Sequence, residues 1–294
     1  MSRIHEALRK SELENHQSEL AAPELPKAVQ VVNSVATLQI PGPAGPRCVS
    51  VRVSPEAHLV ALTAPLSLGA EKFRVLATRI ENLRKDAGLK SLQVTSGSTN
   101  EGKSLVAGNL AFTLARRTNS KVLLIEGDLH KPVLASMLGL DQPQGLSQWW
   151  SESDGDITRF MYQLNDMPLW LLAAGKAFDQ PSDILQSARF GKAFAQMARS
   201  FDWIVVDSTP LLPMADVNLW SRWVDGTLLV VREGVAPVSA LRKGLAGLDN
   251  AKLIGVVLNE ASEFDRATYY DGNYASRKNG TNGQATEKTT EDTA

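Results

Sequence analysis

The sequence predicts an α/β protein, a mostly parallel β-sheet flanked by helices on both faces. Three observations predict it. Short apolar runs rich in Val, Ile and Leu alternate with stretches of helical period through the middle of the 294-residue chain. Most of those runs are continuously apolar, as strands buried on both faces tend to be. A loop of small and polar residues, SGSTNEGKS at 96–104, joins one such run to a helical stretch. Sheets of this kind bind ligands at such junctions, beyond the carboxyl ends of their strands.

In chain order, residues 2–20 predict a short N-terminal helix (domain 1–20), with Ile4 and Leu8 on one face and Glu6 and Lys10 as an i,i+4 pair. Residues 21–50 predict a linker, because Pro23, Pro26, Pro41, Pro43 and Pro46 break any helix there. The folded domain is expected over 51–262, with strands at 91–95, 121–126, 169–173, 203–207, 226–232 and 253–259. Helical patterns fill the gaps at about 70–86, 104–117, 182–200, 216–223 and 237–249, the alternation that a parallel sheet requires. After Asn259 the apolar periodicity stops, and 263–294 predicts a disordered tail ending in the polar NGTNGQATEKTTEDTA.

Composition narrows the function. Apolar content of 43% and charged content of 21% suit a globular chain with a sizeable core. A net charge of −1 offers no footprint for nucleic acid. No apolar run approaches the roughly 20 residues of a membrane span, and MSRIHEALRK lacks a signal-peptide core, so a cytoplasmic protein is expected. A single cysteine, Cys48, excludes an internal disulfide, and the four histidines show no metal-ligand spacing.

Read from Gly97, the loop fits G-x-x-x-x-G-K-[ST], with Gly97, Gly102, Lys103 and Ser104 in place. Glycines let successive backbone N–H groups turn toward a phosphate. Lys103 is expected to face solvent in the empty loop and to reach the β and γ phosphates of ATP, while the Ser104 hydroxyl binds Mg²⁺. Asn100, Glu101 and Leu105 complete the nucleotide cradle, and the helix that starts near Ser104 adds its positive end.

Two more strand ends carry acids. VLLIEGDLHKP at 122–132 ends its strand in Glu126 and Asp128, and FDWIVVDSTPLLPMAD at 201–216 ends another in Asp207, with Asp216 further on. Carboxylates beside a phosphate loop hold Mg²⁺ or take a proton from an attacking hydroxyl, which makes Lys103, Glu126, Asp128 and Asp207 the catalytic candidates and Ser104, Asp128 and Asp207 the metal candidates. The plainer alternative is that Asp128 and Asp207 cap the turns after their strands. Asn259 ends a strand where it recognises adenine or simply shapes the turn. Core packing is favoured over a contact patch for Trp149 and Trp150.

Together these motifs resemble the bacterial tyrosine kinases of capsular and exopolysaccharide synthesis, the BY-kinases, which are phosphate-loop proteins related to MinD and ParA. SGSTNEGKS resembles the family's first Walker motif, WIVVDSTP its second, and VLLIEGDLHKP its extra motif, an apolar run followed by D-x-D-x-R. EKFRVL at 71–76, LGLDQPQGLS at 138–147, LLAAGKAFDQPSDIL at 171–185 and IGVVLN at 254–259 extend the match over about 50–275. The resemblance implies an ATP- and Mg²⁺-dependent protein-tyrosine autokinase, held at the inner membrane by a polysaccharide chain-length protein that activates it. It implies assembly with copies of itself, trans-phosphorylation of the tail tyrosines Tyr269, Tyr270 and Tyr274, and a tyrosine phosphatase as antagonist.

The departures are specific. Glu126 stands where the family has the Asp thought to activate the tyrosine hydroxyl, His130 stands where it has Arg, and Thr209 replaces a usual Pro. Glu71 and Arg74 keep a helix motif E-x-x-R-x-x-R tied to assembly, but Ala77 fills its last position, with Arg79 nearby. Two other functions stay open. One is a nucleotide-binding scaffold of the export machinery without kinase activity. The other is a MinD/ParA-type regulatory ATPase, against which Ser98 stands, because those proteins carry a lysine there.

Overall fold

Residues buried on both sides of a strand need cover on both sides, and the computed structural model shows where that cover comes from. It describes residues 47–153, 155–176, 180–212, 216–248 and 252–260. The N-terminal helix, most of the linker and the tail expected at 263–294 lie outside the described residues.

Eight strands form one sheet: β1 (Arg47–Val49), β2 (Ser91–Ser96), β3 (Val122–Glu126), β4 (Met161–Leu164), β5 (Leu169–Leu172), β6 (Trp203–Asp207), β7 (Gly226–Arg232) and β8 (Leu253–Asn259). Their order is β1-β4-β5-β3-β6-β2-β7-β8. Every pair is parallel except β4 with β5. The helices between them are α1 (Val60–Thr63), α2 (Leu68–Ala87), α3 (Lys103–Thr118), α4 (Leu134–Met137), α5 (Leu146–Ser151), α6 (Pro181–Gln186), α7 (Ala188–Ser200), α8 (Asp216–Ser221) and α9 (Val238–Ala246).

Side chains leave a strand on alternate faces, so each strand feeds two cores. From β3, Val122 and Leu124 join the core beneath α2 and α3, with Ile80, Leu110, Val205 and Val230. Leu123 and Ile125 join the opposite core, with Phe190, Phe194, Trp220 and Trp149. Trp149 is 2% exposed, in keeping with the packing role expected of it.

The boundaries differ from expectation in three places. β1 begins at Arg47, inside the stretch expected to be linker, and pairs with β4. β4 itself was not anticipated: it turns back into β5 through Asn165 and Asp166, both at positive φ (49° and 53°), a tight reversal that Asn and Asp tolerate. The helix expected over 182–200 is two helices, because Ser187 adopts extended backbone and caps α7 by accepting the Phe190 N–H at 3.0 Å.

Candidate active site

The register decides which side chains meet. β6 lies between β3 and β2, and its last residue, Asp207, is level with Glu126 of β3 and Val94 of β2. β2 runs on into the 96–104 loop, which therefore opens directly beside Asp207.

The loop is shaped by two glycines for two reasons. Gly102 sits at φ +93°, and a Cβ there would lie 2.3 Å from Asn259 Nδ2. A Cβ on Gly97 would lie 2.2 Å from Leu241 Cδ2, so α9 closes on the loop at that point. Asn100 is also left-handed, at φ +64°. Glu101 is wholly buried and turned inward, accepting the Ser98 N–H at 2.6 Å and the Arg232 N–H at 3.4 Å. Asn259 donates from Nδ2 to the Glu101 carbonyl at 2.9 Å, so it braces the loop from the end of β8. Leu105 is half-buried in the first turn of α3 and packs against the core beneath that helix.

Lys103 corrects one expectation. Its side chain is 11% exposed and does not reach into solvent: Nζ is 2.9 Å from Asp128 Oδ2, 3.6 Å from Asp207 Oδ1 and 3.4 Å from Ser104 Oγ. Two buried carboxylates outcompete water for the ammonium. Burial alone would lower its pKa, but Asp207 and Asp128 outweigh that and leave it raised. Asp207 is pushed up to about 6 by burial, against the pull of Lys103, and neither of its oxygens has a hydrogen-bond partner.

Glu126 is placed differently from its neighbours. Its carboxylate accepts the Ala135 N–H on Oε1 and the Ala174 N–H on Oε2, each at 3.0 Å, and is 1% exposed. The residue ties the start of α4 to the end of β5. Burial raises its pKa, and the backbone donors oppose that. Asp128 lies on the segment between β3 and α4, where it also accepts the Lys131 N–H at 3.0 Å.

One constellation escaped sequence reasoning. His130 Nε2 lies 2.8 Å from Asp216 Oδ2, and Ser182 Oγ donates to Asp216 Oδ1 at 3.3 Å. The pair ties the Asp128 segment to the starts of α8 and α6. Three distant stretches supply it, and its signals in the sequence stood apart: an acid following the Asp207 strand, and His130 where Arg is usual. Ala77 is fully buried in the core while Arg79 is exposed, so these two present different faces of α2. Tyr269, Tyr270 and Tyr274 lie outside the described residues.

A parallel sheet covered on both faces, with a glycine loop entering a helix and an acid at the adjacent strand end, defines a phosphate-loop nucleotide-binding protein. No family model matches the chain. It is similar to the tyrosine-protein kinase YwqD of Bacillus subtilis, 29% identical over 217 residues that cover 72% of this chain and 91% of that protein. CapB of Staphylococcus aureus is 30% identical over 212 residues, covering 70% and 90%. The succinoglycan biosynthesis transport protein ExoP of Rhizobium meliloti is 29% identical over 229 residues, 73% of this chain but 29% of that protein. Among solved structures, the chimerical protein CapA2B2 superposes with a TM-score of 0.64 at 26% identity, over 74% of this chain and 94% of that one. The Pyrococcus furiosus cell division ATPase MinD, TM-score 0.50 at 23% identity over 60% and 74%, shares the fold. The chain belongs to the bacterial tyrosine-protein kinase family.

Proposed function

We propose that the protein is an ATP-dependent protein-tyrosine autokinase acting in exopolysaccharide or capsule assembly. The observation that carries this reading is the seat of Lys103, held between Asp128 and Asp207 at the mouth of the 96–104 loop. In this reading the ATP phosphates draw Lys103 away from the two acids, and the amides of Gly97 to Leu105, with Asn100 and Glu101 shaping the turn, cradle them. Asn259 flanks the base.

Mg²⁺ fits the donors present. Asp207 has two buried oxygens outside any hydrogen bond, one of them 3.6 Å from the Lys103 ammonium, beside the Ser104 hydroxyl and Asp128. Bound there, Mg²⁺ neutralises charge on the phosphoryl oxygens. Glu126 we assign to orienting the site: standing at one end of the segment that carries Asp128, it holds the other end at Ala135 and anchors both to Ala174 beyond β5. Phosphoryl transfer depends more on placement than on a strong base, so a residue that places Asp128 serves the reaction.

The substrate in this reading is the tail cluster Tyr269, Tyr270 and Tyr274 of a neighbouring copy. No helix among the described residues is long and apolar enough to cross a membrane. In this reading a membrane-embedded chain-length protein serves as activator and anchor, and a tyrosine phosphatase reverses the mark. One observation favours a second reading, a nucleotide-binding scaffold without kinase activity: both Glu126 oxygens are already engaged by backbone amides. Incubating the purified protein with ATP and Mg²⁺, with and without the activator's cytoplasmic segment, tests the choice. Phosphotyrosine that depends on Lys103 supports the kinase, and nucleotide binding with no phosphotyrosine under either condition leaves the scaffold.

A further inference from the structure

Of the three acids at the site, Asp128 is the one that no strand holds. Glu126 and Asp207 end β3 and β6 and are fixed by the sheet, whereas Asp128 stands on the connection between β3 and α4. Glu126 secures the far end of that connection at Ala135. The part nearest Asp128 is gripped from another side, by α8.

Asp216 and Trp220 are four residues apart on α8, so they share one of its faces. Trp220 Nε1 donates to the Gly127 carbonyl at 3.1 Å, and His130 Nε2 donates to Asp216 Oδ2 at 2.8 Å. These two contacts bracket Asp128. Gly127 also donates its N–H to the Asp207 carbonyl at 2.8 Å, and a Cβ on it would lie 2.9 Å from the Trp220 ring. Any side chain there would push the connection off α8. The helix is itself firmly seated: Trp220 is fully buried against Phe190 of α7, with ring centroids 5.5 Å apart. Asp216 is buried too, and it accepts the Ser182 hydroxyl from the start of α6 on its other oxygen. His130 differs from both, because its side chain is 34% exposed. What its bond to Asp216 fixes is the course of the connection, not the packing of a core.

We propose that His130, with Asp216 and Trp220 behind it, is a positioning residue that aims Asp128 at the Mg²⁺ of a bound nucleotide. The groups that orient a metal ligand weigh on affinity as the ligand itself does, by about 10- to 100-fold when removed. The proposal rests on the assignment of Asp128 to the cation, and not on the choice between kinase and scaffold. It is tested without phosphoryl transfer: the full chain is titrated with a fluorescent ADP analogue at a series of Mg²⁺ concentrations and in EDTA. H130L keeps the bulk and removes the donor, so the Mg²⁺ needed for half-maximal tightening should rise about tenfold while affinity in EDTA stays unchanged. In H130Q an amide N–H stands near the place of Nε2, and the Mg²⁺ requirement should return to within about threefold of wild type. W220F loses the other donor and should shift the requirement in the same direction as H130L. D128N, which removes the acid itself, should lose at least as much. A lowered melting temperature in H130L with an unchanged Mg²⁺ requirement marks a structural staple and overturns the proposal. Equal losses in H130L and H130Q overturn it as well, because the donor would then be irrelevant. A shift in D128N without one in H130L sinks the proposal alone, and no shift in either sinks the assignment of Asp128 to the cation with it.

Discussion

At the scale of single residues, the site is a balance of buried charges, and its two acids respond differently to change. Removing Lys103 leaves Asp128 and Asp207 facing each other without a cation. Breaking a buried pair in this way costs about 3–5 kcal/mol when both acids are ionised. Asp207 relieves part of that cost by taking a proton, since burial has already raised it to about 6 from 3.8. Such a raised acid contributes stability below 3.8 that is lost as the pH rises through about 6. The raised Lys103 contributes stability below 10.5, lost as the pH rises through its folded value. K103M should therefore lose more stability at pH 8 than at pH 5, and also lose ATP binding. Thermal melts at the two pH values check the first point and nucleotide titration the second. Glu126 makes a separate prediction. In E126Q an amide NH₂ must face a backbone N–H, and in E126D the shorter arm cannot reach both Ala135 and Ala174. Each variant should unfold about 1–3 kcal/mol more easily in urea, with phosphotyrosine falling alongside. A fully stable, fully active E126D would show that the carboxylate acts on the tyrosine directly and not through the frame.

Among elements, the coupling that matters runs from β8 to the loop. Gly102 needs its left-handed backbone and the space that Asn259 leaves, so G102A suffers both strain and a clash with Nδ2. It should lose about 1–3 kcal/mol and most ATP affinity. Adding N259A removes the clash but not the strain, so the double variant should regain part of the stability; a double-mutant cycle with no coupling would place the loop's support elsewhere. The same element shows what the sequence could reveal. Strands β3, β5, β6, β7 and β8 were legible because they carry nearly unbroken apolar runs, and β2, whose Leu92 and Val94 alternate with polar residues, because it leads into a loop where glycine and lysine stand at fixed spacing. β1 was hidden because three residues behind a proline-rich stretch carry no period, and β4 because its hairpin signal is only Asn165-Asp166. The break at Ser187 was masked by helix formers on both sides. In the site, residue types and strand ends were readable. The inward turn of Lys103, the two amides on Glu126 and the His130–Asp216 contact were not, because each depends on how distant segments pack.

For the whole molecule, the question is which tyrosine receives the phosphate, and composition makes the answer unusually testable. The chain has four tyrosines, of which Tyr269, Tyr270 and Tyr274 stand together near the C-terminus. The fourth, Tyr162, is 7% exposed on β4, and its hydroxyl accepts the Gln144 N–H at 2.9 Å. A hydroxyl held in that way cannot approach the phosphates of a neighbouring copy without unfolding the sheet edge. Changing the three tail tyrosines to Phe should therefore remove all self-phosphorylation, not merely most of it, while leaving ATP binding and the fold intact. Each phosphate brings about −1.5 to −2 charges, so a multiply marked tail repels its neighbours, and wild-type assemblies should shrink on adding ATP while the triple variant's do not. Phosphotyrosine blotting and light scattering with and without ATP read both effects. Residual phosphotyrosine in the triple variant would mean that Tyr162 becomes accessible, and an unchanged ATP-dependent shrinkage would trace disassembly to nucleotide turnover and not to the tail.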